Sequence, residues 1–295
     1  NGLGPLYNGV SLNSVNTLDL PGAAGCASQP GMGPYAETIW NSAAAAPASQ
    51  FGCAYDTGRA AVIQQPVKNT NLVTKANVKL GKDHMLTAEW LMGKSESNKL
   101  FSENQISTAT STSTVTLPNG TTVANPFRNL AYPSTGAGYA RVFNALVAAF
   151  PSLSVNGSLP MTFRWRCMAC GQREYDTETD TGRFLVGMEG VLPFGGGWDY
   201  RTAISQATSK SKSTLGSGYH NYVGLANLIN TGVLNPFLLN GEQQTPAAMA
   251  ALEAISARGT VLYGGKYTTT QADFVTSGSL FKLPGGDAMA AVGAD

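Results

Sequence analysis

The sequence predicts an all-β fold: antiparallel strands of a large transmembrane β-barrel, present in part, with long extracellular loops that contain short helices. Three observations predict it. Long segments that alternate between unlike faces occur in pairs, each pair joined by a short turn. The connections between pairs run to roughly 45–80 residues, against the few residues usual in a compact domain. Charged residues make up only 13% of the 295, about half the share of an ordinary soluble domain.

The most informative pair spans 181–213. Its first arm sets Phe184, Val186, Met188, Gly190 and Leu192 against Arg183, Leu185, Gly187, Glu189 and Val191. Pro193 and Gly195-Gly196-Gly197 break the pattern, as a tight hairpin requires. The second arm resumes with Trp198, Tyr200, Thr202 and Ile204 against Asp199, Arg201, Ala203 and Ser205. It then fades into Ser209-Lys210-Ser211-Lys212-Ser213, polar on both faces, as a strand is once it leaves lipid. A soluble sandwich would give the same alternation, but each arm can extend to about ten residues, the length of a tilted membrane strand. Charges lie mid-strand on one face, and Trp198 and Tyr200 sit beside the turn, where an aromatic girdle is expected.

The rest of the chain is read around that hairpin. Residues 1–68 show no sustained period and are expected to be an extracellular loop region. Residues 69–295 are expected to be a partial barrel of about six strands. Leu72–Leu80 and Leu86–Met92 alternate about the turn Gly81-Lys82-Asp83-His84, with His84 exposed in that turn. A long loop follows over 101–180, containing a small hairpin at Pro118-Asn119-Gly120. It also carries an amphipathic helix, capped by Ser134 or Thr135, whose stripe is Tyr139, Val142, Phe143, Leu146, Val147 and Phe150. A second long loop over 215–260 carries a short helix near Tyr222–Ile229. It also carries a well-punctuated one, with Thr245 at N-cap, Pro246 in the first turn and Gly259 beyond the end. A third hairpin begins at Ala272 and turns at Pro284-Gly285-Gly286-Asp287. The chain has no initiating Met and no leader segment, and its last alternation starts only at Ala288, so an interior fragment is expected.

Composition excludes several functions. Nineteen Lys and Arg against 18 Asp and Glu leave a net charge of +1, with no basic run, so nucleic acid is not an expected partner. No apolar run approaches the length of a membrane helix, so any crossing must use strands. Four cysteines in two local sets, Cys26 with Cys53 and Cys167 with Cys170, fit two disulfides in an oxidising compartment. A structural zinc needs four Cys or His at paired spacing, and only His84 and His220 accompany the C-x-x-C, so neither a metal nor another cofactor is expected.

The run Thr181–Tyr200, TGRFLVGMEGVLPFGGGWDY, resembles barrel hairpins of TonB-dependent outer-membrane receptors. The tripeptides Asn125-Pro126-Phe127 and Asn235-Pro236-Phe237, and the run Leu130-Ala131-Tyr132-Pro133-Ser134, are similar to loop motifs of that family. The resemblance covers residues 60–295. It implies a bacterial outer-membrane protein with a barrel of about 22 strands around a plug. It further implies capture of a scarce small-molecule nutrient at the extracellular loops and import with energy from TonB. Departures are the plug, the TonB box through which TonB would dock, and a C-terminal aromatic strand, none of which is in the chain.

On this reading the ligand contacts expected are loop cations and aromatics: Arg164, Trp165, Arg166, Tyr219 and His220. Lys75, Glu89, Glu189 and Arg201 are expected to meet the plug or water, and the wall to meet outer-membrane lipid. A passive porin or adhesin-type barrel is the alternative. A secreted β-rich carbohydrate-active protein is the remaining one, but Glu174, Asp176, Glu178 and Asp180 lie in a polar stretch without a nucleophile elbow, HExxH or phosphate loop, so an enzyme is not expected.

Overall fold

The structure is a computed structural model that describes residues 2–3, 32–34, 53–60, 62–107, 114–116, 120–128, 130–157, 159–194, 196–239 and 241–295. Most of the regular structure is antiparallel strand. The chain opens with short elements: β1 (Gly2–Leu3), β2 (Met32–Pro34), β3 (Cys53–Tyr55) and the helical turn α1 (Thr57–Ala60). The first long hairpin is β4 (Val67–Leu80) and β5 (His84–Glu103). Then come β6 (Gln105–Ser107), the small hairpin β7 (Thr114–Thr116) and β8 (Thr122–Ala124), helix α2 (Tyr139–Ala149) and β9 (Phe163–Arg166). The second long hairpin is β10 (Gln172–Leu192) and β11 (Trp198–Leu215). Helices α3 (Tyr222–Asn230) and α4 (Pro246–Ala254) precede the last hairpin, β12 (Val261–Leu283) and β13 (Gly286–Ala294).

All three long hairpins form one six-stranded sheet, in the order β13-β12-β11-β10-β5-β4. Among the described residues this sheet is open, with β4 and β13 at its edges. The strands run past the points where hydrophobic alternation stops. β10 starts at Gln172, inside the expected 101–180 loop, and β12 starts at Val261 rather than near Ala272. The added part of β10, 172–180, is polar or charged at every position but Tyr175, and that of β12, 261–271, sets Tyr263 and Tyr267 among glycines and threonines, so neither continues the apolar stripe, yet their Thr residues suit a strand. Hydroxyl pairs between Thr177 and Ser213 (3.1 Å) and between Thr179 and Ser211 (2.9 Å) hold them across strands.

Two compact units emerge. One comprises Asn1–Gln65, Lys99–Tyr175 and Leu215–Thr260; the other comprises Pro66–Asn98, Asp176–Thr214 and Val261–Asp295. The buried hydrophobic cluster belongs wholly to the first. There α2 buries Tyr139, Val142 and Leu146, with Phe143 and Val147 partly covered, as the helical stripe predicts. Its N-terminus differs from expectation: neither Ser134 nor Thr135 caps it. Gly138 does so in the left-handed region (φ 78°), with no side-chain acceptor. α4 follows the sequence more closely, since the Thr245 hydroxyl accepts from the Ala248 N–H at 3.1 Å and Pro246 opens the helix.

The second unit is a sheet with two unlike faces. The β4–β5 and β11–β12 registers set even-numbered residues opposite even-numbered ones. Lys94 reaches Glu178 and Asn98 reaches Asp176 on the same parity, while Thr177 and Thr179 meet Ser213 and Ser211 on the other. Even positions of β4, β5, β10, β11 and β12, up to the β12 bulge at 279–281, therefore share a face. From the hairpin turns upward that face reads Leu80–Leu72, Leu86–Met92, Leu192–Phe184, Trp198–Ile204 and Phe274–Ala272 at every second residue. It carries no formal charge until Lys68, Lys94, Asp180, Lys210 and Lys266. The odd face carries Lys75, Lys79, Glu89, Arg183, Glu189, Asp199, Arg201 and Asp273 within the same span. The apolar face is uncovered: Phe184 is 54% and Ile204 56% exposed. Gly278 has a steric reason to be glycine, because a Cβ there would overlap the Trp198 indole.

Candidate ligand pocket

β9 is the middle strand of a three-stranded sheet, between β1 and β6. Its alternation sorts four residues into two faces: Phe163 and Trp165 are buried in the core, Arg164 is exposed and Arg166 is half-buried. The strand ends in a tight turn closed by the Cys167–Cys170 disulfide. Cys167 N–H donates to the Asn104 carbonyl (2.9 Å) and Cys170 N–H to the Cys167 carbonyl (3.0 Å), which fixes the turn against β6. The expected Cys26–Cys53 pairing lies outside the described residues.

Beside this turn is a cavity of about 340 Å³. Trp165, Arg166, Met168 and Ala169 form one side. Pro236, Leu238, Leu239, Gln244 and Met249 form much of the other. The second side is built by side chains that replace backbone ladders. The Asn235 side chain accepts from Phe237 N–H (2.8 Å), closing the Asn-Pro-Phe turn. Gln244 and the Asn235 backbone bond reciprocally, at 3.0 and 2.6 Å. Glu242 accepts from Leu239 N–H (2.8 Å) and takes both guanidinium arms of Arg141, at 2.7 and 2.9 Å.

The electrostatics of the two sides differ. Arg166 lies over the Tyr55 ring, 4.3 Å from its centroid, and donates to the Glu103 carbonyl at 2.9 Å. The Tyr55 hydroxyl donates to the buried Glu103 carboxylate. Burial and that carboxylate push the Tyr55 hydroxyl up to about 12. Burial lowers the Arg166 guanidinium, which still stays charged at any ordinary pH. Across the cavity, the Arg141 guanidinium and the Leu239 N–H hold Glu242 down at about 2. A site of this size and lining offers an aromatic edge, the three thioethers of Met32, Met168 and Met249, amide donors and acceptors, one cation and one carboxylate. That combination suits a small amphipathic molecule. Among the described residues no cluster of three His, Cys, Asp or Glu could hold a metal.

Glu242 is well exposed, so its ion pair contributes at most about 1 kcal/mol. The sign follows from its lowered pKa: the contribution is complete above the unfolded carboxylate value of about 4.3 and is lost as pH falls through about 2. The stability advantage of the wild type over Glu242→Gln, read from urea midpoints, is therefore expected to shrink between pH 4.5 and 2. An advantage constant over that range contradicts the assignment.

Of the five expected contact residues, Trp165 and Arg166 line the cavity. Arg164 shares the face of β9 that carries Arg166 but is exposed and is not among the residues that line the cavity. Tyr219 and His220 line no part of it: Tyr219 stacks on Tyr175 (centroids 5.1 Å apart) and His220 is held by a backbone bridge to Ser256. Burial raises the Tyr219 hydroxyl, with Tyr175 as its partner, and lowers the His220 imidazole against the opposing pull of Glu253. Sequence reasoning missed Gln244 and Met249; the Asn-Pro-Phe motif at 235–237 was the available signal.

A second, larger cavity of about 590 Å³ lies in the sheet unit near the hairpin turns, with Lys79, Asp83, Glu189, Asp199 and Arg201 among its lining residues. Glu189 and Arg201 are two of the four polar wall residues expected from sequence; the other two, Lys75 and Glu89, stand directly opposite each other on β4 and β5. His84 is not a free turn residue: its Nδ1 is 3.0 Å from the Tyr200 hydroxyl. No family model, no curated protein and no solved structure matches this chain.

Proposed function

We propose that the chain is wall and mouth of a bacterial outer-membrane receptor. On this reading it binds a scarce small-molecule nutrient at its extracellular side and imports it with TonB-coupled energy. One observation carries the membrane part: five neighbouring strands keep one face free of formal charge over a common height, while the other face carries eight charged residues in the same span. In water the polar face would be solvated and the apolar face buried in a core, but the core cluster lies in the other unit. Lipid outside and a wet lumen inside accommodate both faces. Short turns at one end and long connections at the other agree with that orientation. The pocket beside Cys167–Cys170 is the ligand site on this reading, and TonB dependence rests on the family resemblance.

The test combines fractionation with uptake. The protein is expected to stay with outer membranes through a urea wash. Met249→Trp, which fills the pocket from α4, is expected to abolish most uptake without changing that recovery. Recovery in a detergent-free soluble fraction overturns the membrane reading. Undiminished uptake by Met249→Trp overturns the pocket, and uptake that persists without TonB points to a passive barrel instead.

A further inference from the structure

Three of the chain's eight methionines line one cavity, the pocket of about 340 Å³ beside the disulfide turn. They reach it from three separate places: Met32 from β2, Met168 from the Cys167–Cys170 turn and Met249 from α4. A methionine that only fills a core gap is covered, as Met161 is at 3% exposure. Met168 and Met249 are instead 39% and 40% exposed. Around the thioethers stand Pro236, Leu238 and Leu239, and the aromatic side chain in the lining is Trp165, fixed by its burial in the core. The lining carries one charge of each sign, and both are engaged. Arg166 lies on the Tyr55 ring and donates to the Glu103 carbonyl. Glu242 takes both arms of Arg141 and the Leu239 N–H. The Gln244 amide is spent at both ends on the Asn235 backbone, while Gln243 is exposed at the cavity.

We propose that the cavity takes an uncharged aromatic ring system of the cargo, seated against Met32, Met168 and Met249. The inference rests on the reading of this cavity as the ligand site and names the class of molecule it selects. Thioether sulfur is polarisable and is attracted to an aromatic ring edge at about 5 Å, an interaction that a saturated hydrocarbon does not offer. Unbranched side chains that enter from three elements can close on a flat ring from different directions, and their rotatable bonds let each adjust to it. Trp165 adds an edge-to-face or offset partner. A formal charge on the ligand would gain little, because an ion entering this lining gives up its hydration and finds both counter-charges already held. A hydroxyl on the ring system is served by Gln243 at the exposed side. The volume is at the small end for ligand pockets, which suits one or two fused rings.

The test follows isotope-labelled methionine methyl resonances of the whole chain in detergent micelles as naphthol, its saturated counterpart decalinol, and naphthoate are titrated. Naphthol is expected to shift the Met32, Met168 and Met249 methyls together and saturably through its ring current, and to leave Met161 unmoved. Decalinol and naphthoate are each expected to bind roughly ten-fold more weakly, the first for want of sulfur–ring contacts and the second for its desolvated charge. Met249→Leu keeps the volume and removes one sulfur; it is expected to weaken naphthol about three-fold and leave decalinol unchanged. Equal affinity for naphthol and decalinol, tighter binding of naphthoate, or a Met249→Leu variant indistinguishable from wild type overturns the aromatic class while the cavity stands. Absence of saturable shifts with all three probes overturns the class as well. Undiminished uptake by Met249→Trp is the separate result that overturns the cavity as the ligand site.

Discussion

Phe237→Ala is expected to destabilise the packed unit by about 3–5 kcal/mol, the cost of removing a fully buried aromatic ring and leaving its cavity. Phe237 has no exposed surface. Its ring meets Tyr132 (centroids 5.1 Å, interplanar 88°) and Phe163 (6.0 Å, 74°), both edge to face. Its backbone is fixed as well, since its N–H donates to Asn235 and its carbonyl accepts from Arg141 at 3.1 Å. The same tripeptide at 125–127 supplies an internal control. Asn125 accepts from Phe127 N–H at 3.0 Å, the same turn, but Phe127 is only partly buried, and among the described residues its ring meets one aromatic, Tyr222, at 5.6 Å. Phe127→Ala is expected to cost about half as much. Urea midpoints compare the two, and amide exchange at Leu225 and Ile229 reports on the neighbouring core. Equal midpoints for the two variants would mean that the shared turn, and not burial of the ring, sets the stability.

These two turns also mark what a sequence can reveal. Both tripeptides were legible as motifs, yet nothing local says that one Phe is central and the other peripheral. The Phe237 ring meets Tyr132 and Phe163, residues more than 70 positions away in the chain. The pocket divides in the same way. Trp165 and Arg166 stood out because an aromatic, cations and a C-x-x-C share one short run. The facing side depends on Gln244 folding back onto Asn235, a contact with no period or spacing to betray it. Tyr219 and His220 were selected by residue type, and the structure uses them for packing and a backbone bridge. Hydrophobic alternation points to all six long strands but not to where β10 and β12 begin, because 172–180 and 261–271 carry no apolar stripe. There a hydroxyl ladder, and not a buried stripe, keeps the strands paired.

Ile204→Arg and Ala203→Arg are expected to differ far more than neighbouring substitutions on an exposed sheet should. Ile204 is six residues from Trp198 and six from Lys210, midway along the uncharged face, with Ala272 opposite. If that face meets hydrocarbon, a cation there costs about 2–4 kcal/mol. It could not escape by reaching out, because Lys210 stands about 20 Å further along the strand, beyond the length of an arginine side chain. Ala203 faces the other way and stands opposite Asp273, so an arginine there gains a carboxylate partner and costs about 0–1 kcal/mol. In water the outcome is different. Ile204 is already 56% exposed, so replacing it by arginine should move stability by no more than about 0.5 kcal/mol, as at any open surface position. Folding yield and urea midpoints of the two variants in lipid vesicles decide between these cases. A large loss confined to Ile204→Arg requires lipid on the even face. Two small and equal effects would show that neither face meets lipid, and the apolar band would then need a protein partner to cover it.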